Sequence, residues 1–315
     1  MYESLKRHCK DFRLYVFAFD ELTQRILTGL SLEHVTVIGL DSFEDDQLRS
    51  VKSSRTPAEY CWTSTPATIS YVLDHYHEPH CTYIDADIYF FANPDELFRE
   101  LGNRSVMITE HRYSPQYDLS NLSGKYCVQY ITFLNDENGR TALQWWRNAC
   151  LEWCYAREED GKFGDQKYLD DWTTRFEGVH VLKHLGGGVA PWNVQQYDLY
   201  NENNSLYGYD RSTGNRFPVI FYHFHYLRFY DRRLLDLGDY RLSSTVQSLV
   251  YSPYVRHLER IVQMLSAIDS SIDWYGSRES SMISKRIVTM LKRMIKGQYN
   301  VVVYDAYQKR SEADR

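Results

Sequence analysis

The strongest candidate for chemistry is a pair of carboxylates one residue apart, set inside an apolar segment. Asp85 and Asp87 stand in YIDADIYFF, residues 83–91, between two apolar runs. Carboxylate oxygens bind hard cations such as Mg²⁺ or Mn²⁺, which complete their coordination with substrate phosphate and water. Two solvated acids at a strand end are the alternative, but uncompensated charge within an apolar segment is costly. The pair therefore predicts a divalent metal site.

The elements that must position this pair alternate between strands and helices. Strand-length apolar runs cover residues 13–19, 34–40, 81–84, 105–109, 128–134 and 219–224, and helical spacing covers residues 21–30, 66–76 and 141–156. This alternation predicts an α/β fold with a mostly parallel sheet flanked by helices. Ligands of such sheets bind at the carboxyl ends of strands, where the two aspartates fall. We predict one domain over residues 1–242 and a helical C-terminal extension over residues 243–315.

Net charge, apolar segments and cysteine spacing argue against several classes of protein. The 315 residues carry 36 Lys+Arg against 42 Asp+Glu, a net charge of −6, which argues against nucleic acid as a partner. The N-terminus has no apolar signal core, and no stretch approaches the roughly 20 apolar residues that cross a bilayer. The six cysteines show neither a C-x-x-C pair nor zinc-ligand spacing. A cytoplasmic location is expected.

Several long segments, in this order, resemble those of bacterial nucleotide-diphospho-sugar transferases, which are GT-A glycosyltransferases. They are residues 54–63, 83–98, 108–115, 126–133, 150–172 and 186–197. The resemblance covers roughly residues 1–235 and extends at a distance to the glycogenin and lipopolysaccharide galactosyltransferase group. It implies a GT-A (Rossmann-like) fold and metal-dependent transfer of a sugar from a nucleotide-diphosphate donor to a glycan or lipid-linked glycan acceptor, in the synthesis of a surface or storage polysaccharide.

The same resemblance implies roles for the metal ligands. Asp85 and Asp87 would bridge to the donor diphosphate through Mn²⁺ or Mg²⁺, Asp87 as a direct ligand and Asp85 as a ligand or as a contact to ribose or metal-bound water. A histidine is expected as third ligand, and two regions compete. Motif order favours His223 over His184. His225 falls on the same strand face as His223, since strand side chains alternate with period two. Histidines packed against tyrosines in a core strand are the alternative.

Asp165 and Gln166 are the candidate catalytic residues. Relatives carry an Asp-Gln pair that opens a helix at the sugar-binding end of the pocket, and Asp165 follows Gly164 in a loop that leads into an apparent helix. An aspartate that merely caps this helix is the structural alternative.

Further donor-site candidates rest mainly on the resemblance. Arg55 and Thr56 precede Pro57 at the start of a helix, whose N-terminal amides favour phosphate. Gln129 is a polar residue in an otherwise apolar strand, and Arg228 would supply the positive charge that relatives take from a lysine. The complete set is Arg55, Thr56, Asp85, Ala86, Gln129, Asn193 and Arg228.

Two expectations concern the ends of the chain. GT-A relatives have a strand ahead of the helix that begins here near Tyr2, and a chain without that strand favours the alternative function, a catalytically silent sugar-nucleotide or glycan-binding protein. At the other end, residues 284–296 combine apolar residues with Lys285, Arg286, Lys292, Arg293 and Lys296. Such a helix either lies at an anionic membrane surface, here the inner face of the membrane, or docks on the domain with a solvated basic face.

Overall fold

The computed structural model of the chain describes residues 1–230, 234–278 and 287–303. Its α-helices are α1 Tyr2–His8, α2 Glu21–Leu30, α3 Leu40–Phe43, α4 Asp46–Lys52, α5 Pro57–His75, α6 Asp95–Leu101, α7 Ser120–Ser123, α8 Glu137–Glu152, α9 Trp172–Arg175, α10 Ser244–Val246, α11 Ser252–Ile268 and α12 Ile287–Ile295. Its strands are β1 Leu14–Ala18, β2 Val35–Gly39, β3 His80–Ile84, β4 Ile88–Phe90, β5 Val106–Glu110, β6 Tyr126–Leu134, β7 Val179–Val181, β8 Gly187–Val189, β9 Tyr197–Glu202, β10 Ser205–Asp210, β11 Arg216–Pro218, β12 Phe221–His223, β13 Arg228–Tyr230, β14 Leu234–Asp236 and β15 Val301–Val303.

The predicted α/β class is confirmed, but the prediction of a mostly parallel sheet is wrong. The largest sheet has the order β3-β6-β5-β7, and β6 is antiparallel to both of its neighbours. Parallel pairing is found between β1 and β2, β5 and β7, and β8 and β12. A parallel pair needs a crossover of a dozen or more residues, usually a helix. The connection from β5 to β6 holds only a 3₁₀ turn and the four-residue α7, so the chain folds back instead.

Two antiparallel pairings bring the predicted metal ligands together. Asp85 and Asp87 lie in the turn between β3 and β4. The amide of Asp85 donates to the carbonyl of Gln129 on β6 at 3.1 Å, and β4 pairs with β12 so that Ile88 stands opposite His223. The turn, β6 and β12 therefore meet at one edge of the fold.

The long helix α5 supports this arrangement from behind the sheet. It begins at Pro57, ahead of the helical spacing over residues 66–76, because Thr56 and Glu59 form a capping box and proline suits the first helical position. Helix α8 likewise begins earlier than predicted, after its cap Asp136, and ends at Glu152. One buried core cluster joins α5 and α8 to β5 and β6 and includes Leu73 of α5 and Trp146 of α8.

The C-terminal region is built into the domain. Tyr254 and Val255 of α11 share a core cluster with Tyr222 of β12, and β15 pairs with β14. The predicted helical extension therefore also supplies a sheet strand. Among the helices that the structure describes, none combines the length and apolarity needed to span a bilayer. The domain boundary near residue 243 stays a prediction.

Candidate metal centre and its surroundings

Asp85, Asp87 and His223 form one compact group of ligand atoms, all within 4.8 Å of one another in the described part of the chain. Nε2 of His223 lies 3.1 Å from Oδ1 of Asp87 and 3.7 Å from Oδ2 of Asp85. The imidazole is buried, whereas the Asp87 side chain is 44% exposed. Two carboxylates and one imidazole on a partly open face fit a hard or borderline divalent cation. Ala86, between the aspartates, is exposed in the same turn.

The surroundings of the two carboxylates shift their pKa values in opposite directions. Burial disfavours ionisation of both; for Asp85 this effect dominates and raises its pKa. For Asp87, attraction and a hydrogen bond from His223 outweigh burial and lower the pKa. The same contacts with Asp87 raise the pKa of His223 well above its ordinary value in spite of its burial. A cation would replace the proton that holds this cluster together.

Neighbouring side chains hold the group in place. The Tyr83 hydroxyl donates to Oδ1 of Asp85 at 2.9 Å, and Oε1 of Gln129 lies 2.7 Å from Nδ1 of His223. Trp192 packs edge-on to the rings of both His223 and His225. Tyr83 was missed by the sequence analysis. Its position two residues before Asp85, on the same strand face, was the signal that could have found it.

The structure separates the competing histidines. The ring of His184 accepts from the amide of Gly186 and lies 3.7 Å from a carboxylate oxygen of Glu96, apart from the aspartate pair. His225 was expected on the same strand face as His223, but β12 ends at His223 and His225 lies in the turn that follows, with its ring 5.9 Å from that of His223. Burial, together with the nearby charge of His223, lowers the pKa of His225 to about 4. His223 is therefore the histidine that joins the aspartates.

Asp165 lies near the centre but does not cap a helix, which corrects the expectation that it opens one. A short 3₁₀ helix, Lys167–Asp171, follows, with Gln166 in the cap position and without a side-chain cap hydrogen bond. Asp165 is 6% exposed, and burial, followed by the charge of Asp85, raises its pKa to about 7. Its neutral form is thus accessible near neutral pH.

Several donor-site candidates are occupied with contacts inside the fold. The guanidinium of Arg55 stacks over Tyr155 at 3.9 Å and donates to the carbonyl of Leu151. Thr56 exchanges capping hydrogen bonds with Glu59. Among the described residues, the contacts of Arg55 and Thr56 go to Ser54, Leu151, Tyr155 and Glu59 and not to Asp85, Asp87 or His223.

Asn193 is fully engaged in the same way. Its amide donates to the carbonyls of His111 and Gly188 at 2.8 and 2.9 Å and accepts from the amide of Ala190 at 2.9 Å. Each polar atom of this buried side chain thus has a backbone partner. Asn193 clamps the loop that carries β8 against the end of β5.

A cavity of about 590 Å³ opens beside Asp87. Arg228, the predicted phosphate contact, lines it together with Tyr226, Tyr254, Trp274 and Arg278. Arg228 stacks over Tyr226 at 4.4 Å, and within the described residues neither Arg228 nor Arg278 pairs with a carboxylate. Nothing in the local sequence marked Tyr254, Trp274 or Arg278, since only the tertiary fold brings α11 and the following loop to the metal centre.

Two Bacillus subtilis proteins are similar to most of this chain. No family model matches the chain. The uncharacterized protein YfnD of Bacillus subtilis (strain 168) is 31% identical over 273 residues, covering 85% of this chain and 86% of YfnD. The uncharacterized protein YfnF of the same strain is 28% identical over 293 residues, covering 89% and 93% respectively. The apo crystal structure of mouse xyloside xylosyltransferase 1 is similar to 57% of this chain, and the match covers 77% of its own chain, with 14% identity and a TM-score of 0.38.

Fold and site define a mixed α/β protein whose sheet edge carries a carboxylate and imidazole centre able to hold a divalent cation. The extent and identity of the match with YfnD place the chain in a family: this protein belongs to the family of Bacillus subtilis YfnD.

Proposed function

We propose that this protein is a metal-dependent glycosyltransferase of the GT-A type. It transfers a sugar from a nucleotide-diphosphate donor to a glycan or lipid-linked glycan acceptor. The observation that carries the proposal is the convergence of Asp85, Asp87 and His223 at one edge of the fold, beside a cavity lined by Arg228 and Arg278. The sequence motifs that resemble nucleotide-diphospho-sugar transferases support it independently.

The donor set fits Mn²⁺ or Mg²⁺. Carboxylate oxygens suit both ions, and an imidazole nitrogen favours Mn²⁺. Such a cation, when bound, neutralises charge on a nucleoside diphosphate leaving group. Arg228 and Arg278 can bind anionic oxygens on the cavity wall, because no carboxylate in the described residues competes for their guanidinium groups.

Asp165 is proposed as the group that faces the reacting sugar, with Gln166 next to it. A carboxylate beside an amide can bond sugar hydroxyls and stabilise positive charge at the anomeric carbon. The aromatic residues Tyr254 and Trp274 supply flat apolar faces of the kind that pack against sugar rings and exclude water.

The decisive experiment is a panel of nucleotide sugars with Mn²⁺, read first as thermal shift and then as release of nucleoside diphosphate. We expect one donor to give both signals, chelation of the metal to remove them, and Asp87→Ala to abolish them while leaving the fold intact. Asp171→Ala, at an exposed acid paired with Arg175, is the matched control and should retain both. Binding without release would instead support a silent sugar-nucleotide-binding protein, and metal-independent binding would refute the metal centre.

We further propose that α12 contacts an anionic membrane surface. Leu291, Met294 and Ile295 are 54%, 52% and 86% exposed, and Lys292 is exposed beside them. Arg293 instead anchors the helix to the domain through a bidentate pair with Asp236 at 2.8 and 2.9 Å. Lys285 and Arg286 lie outside the described residues.

Cosedimentation with phosphatidylserine vesicles at low salt tests this contact. Exposed apolar side chains and basic residues both contribute to such binding, the latter about 1 kcal/mol each. We expect Leu291→Ser with Ile295→Ser to lower vesicle binding, whereas Ile268→Ser, at an exposed apolar site on α11, should not. Equal binding by all three proteins would leave α12 a purely structural role.

A further inference from the structure

We propose that Gln129 is a positioning residue for the metal centre and does not itself contact the donor. Its side-chain oxygen fixes the His223 imidazole in the form that presents Nε2 to the cation. This inference rests on the proposed metal-dependent function and adds a residue whose role is exerted entirely through His223.

The first step is the position of Gln129. It lies on β6, in the otherwise apolar sequence YCVQYITFL, and is 0% exposed. The side chain has two polar atoms, and the fold uses them very differently. Oε1 lies 2.7 Å from Nδ1 of His223, whereas buried Nε2 has no hydrogen-bond partner among the described residues. The polar contact that the fold gives this side chain is therefore directed at His223.

The second step is the chemistry of that contact. An amide oxygen only accepts hydrogen bonds, so Nδ1 of His223 must carry the proton. A neutral imidazole has one N–H, which leaves the lone pair on Nε2. That nitrogen is the one that faces the carboxylates, 3.1 Å from Asp87 and 3.7 Å from Asp85. The bond to Gln129 thus selects the ring nitrogen that is able to bind a cation together with both aspartates.

The Gln129 amide is held by packing, and its nitrogen has no hydrogen-bond partner among the described residues. Gly188 on β8 packs directly against the amide: a Cβ there would lie 3.1 Å from Nε2 of Gln129 and 3.0 Å from Thr109. An unpaired buried donor destabilises the folded state. A glutamine with a merely structural role would be expected to pair both polar atoms, as the fully bonded Asn193 does nearby. The unpaired Nε2 is consistent with a side chain selected for its oxygen.

The test measures Mn²⁺ affinity from the electron paramagnetic resonance signal of free Mn²⁺. Gln129→Met removes the acceptor at nearly constant length and should weaken binding about 10-fold to 100-fold, the effect of losing a partner behind a metal-bound histidine. Gln129→Glu restores an acceptor at the same place and should bind within about threefold of the parent, or tighter. Thr132→Val, which removes a partly buried hydrogen bond from β6, the strand of Gln129, to Thr82 on β3, is the matched control and should leave affinity unchanged.

A double-mutant cycle separates positioning from a general structural effect. If Gln129 acts through His223, Gln129→Met should weaken Mn²⁺ binding in the parent and have no further effect in a His223→Ala background. Equal weakening in both backgrounds, or parental affinity in folded Gln129→Met, would overturn the proposal. Gln129→Asn, whose amide is one methylene too short to reach the ring, provides the same test should the methionine variant fail to fold.

Two outcomes distinguish failure of the positioning role of Gln129 from failure of the proposed metal-dependent function. A parent protein that binds no Mn²⁺ would refute the metal-dependent function, and the role of Gln129 with it. A parent that binds Mn²⁺ and an equally competent Gln129→Met would refute only the positioning role.

Discussion

The metal centre and the loops that surround it differ in how fully their polar side-chain atoms are hydrogen-bonded within the fold. At the centre, carboxylate oxygens of Asp85 and Asp87 crowd around Nε2 of His223 on a partly open face, and burial raises the pKa of Asp85. In the surrounding loops, Asn193 and Thr56 have their side-chain polar atoms bonded to the backbone or to a neighbouring side chain. Both sets stand in motif-like segments. The difference teaches that a polar residue is available to a ligand only where the fold leaves its atoms free.

Apart from loss of the metal ligand Asp87, the largest effect should come from Asp165, which lies close enough to the centre to feel the charge of Asp85. Asp165→Asn keeps the shape of the side chain and removes its charge, so we expect a turnover loss of about 100-fold, or about 2.7 kcal/mol, with nearly unchanged donor affinity. Steady-state release of nucleoside diphosphate measures it, and Asp171→Asn is the control. Near-parental turnover would assign Asp165 to the packing of the site.

The raised pKa of Asp165 also gives a pH dependence of stability. With a folded pKa of about 7 against an ordinary value of 3.8, the native state binds the proton more tightly than the unfolded chain. The stabilisation from this group is present in acid and is lost as pH rises towards and through 7. Thermal unfolding should therefore show Asp165→Asn gaining stability relative to the parent between pH 5 and 8; a constant difference would argue against a raised pKa.

On the structural side, Asn193→Ala should lower the free energy of unfolding by about 2 kcal/mol. The substitution leaves two buried carbonyls and one amide without their side-chain partner. Denaturant unfolding measures the loss, and Mn²⁺ affinity below the transition should stay within about threefold of the parent. Reduced nucleotide affinity at full stability would move Asn193 to the donor site, as the resemblance implied.

His223→Ala should weaken Mn²⁺ affinity by about 10-fold or more, because it removes the nitrogen ligand and leaves the two aspartates. His184→Ala, at a half-buried histidine outside the group, should change the affinity little. Titration of both variants with Mn²⁺ gives the answer. The reverse ranking would mean that the cation binds elsewhere.

The smallest effect is expected at the helix cap. Thr56→Ala removes the capping hydrogen bonds of α5 and should cost about 1 kcal/mol of stability without affecting nucleotide binding. Chemical denaturation and nucleotide titration check the two halves of this prediction. A loss of donor affinity at unchanged stability would place Thr56 in contact with the donor.

The aspartate pair was predictable because its signal is local: a strand that ends in two acids is visible in a few residues of sequence. The choice of His223 over His184 instead rested on the order of motifs along the chain. The α/β class followed from the same kind of periodicity. The antiparallel direction of β6 was not predictable in this way. It goes with the absence of a long crossover helix between β5 and β6, where the chain forms only a 3₁₀ turn and α7.

Other features of the site depend on which partners individual side-chain atoms find in the folded structure. The sequence marks Gln129 as unusual in an apolar strand, but only the fold shows that its oxygen faces His223. It also suggests a cap at Asp165, whereas the observed 3₁₀ helix begins at Lys167 and lacks a side-chain cap. Trp274 and Arg278 reach the cavity through long-range packing, for which no local pattern exists.

The glycine run before Val189 has a consequence for how this protein can vary under selection. A methyl group at Gly186 would stand 1.9 Å from the carbonyl oxygen of Pro218, and one at Gly188, where φ is +116°, would press on the amide of Gln129. The first substitution would push β8 away from β12, and the second would disturb the partner of His223. In a library of all single substitutions, these two positions should tolerate almost nothing, although neither residue has a side chain with which to bind anything.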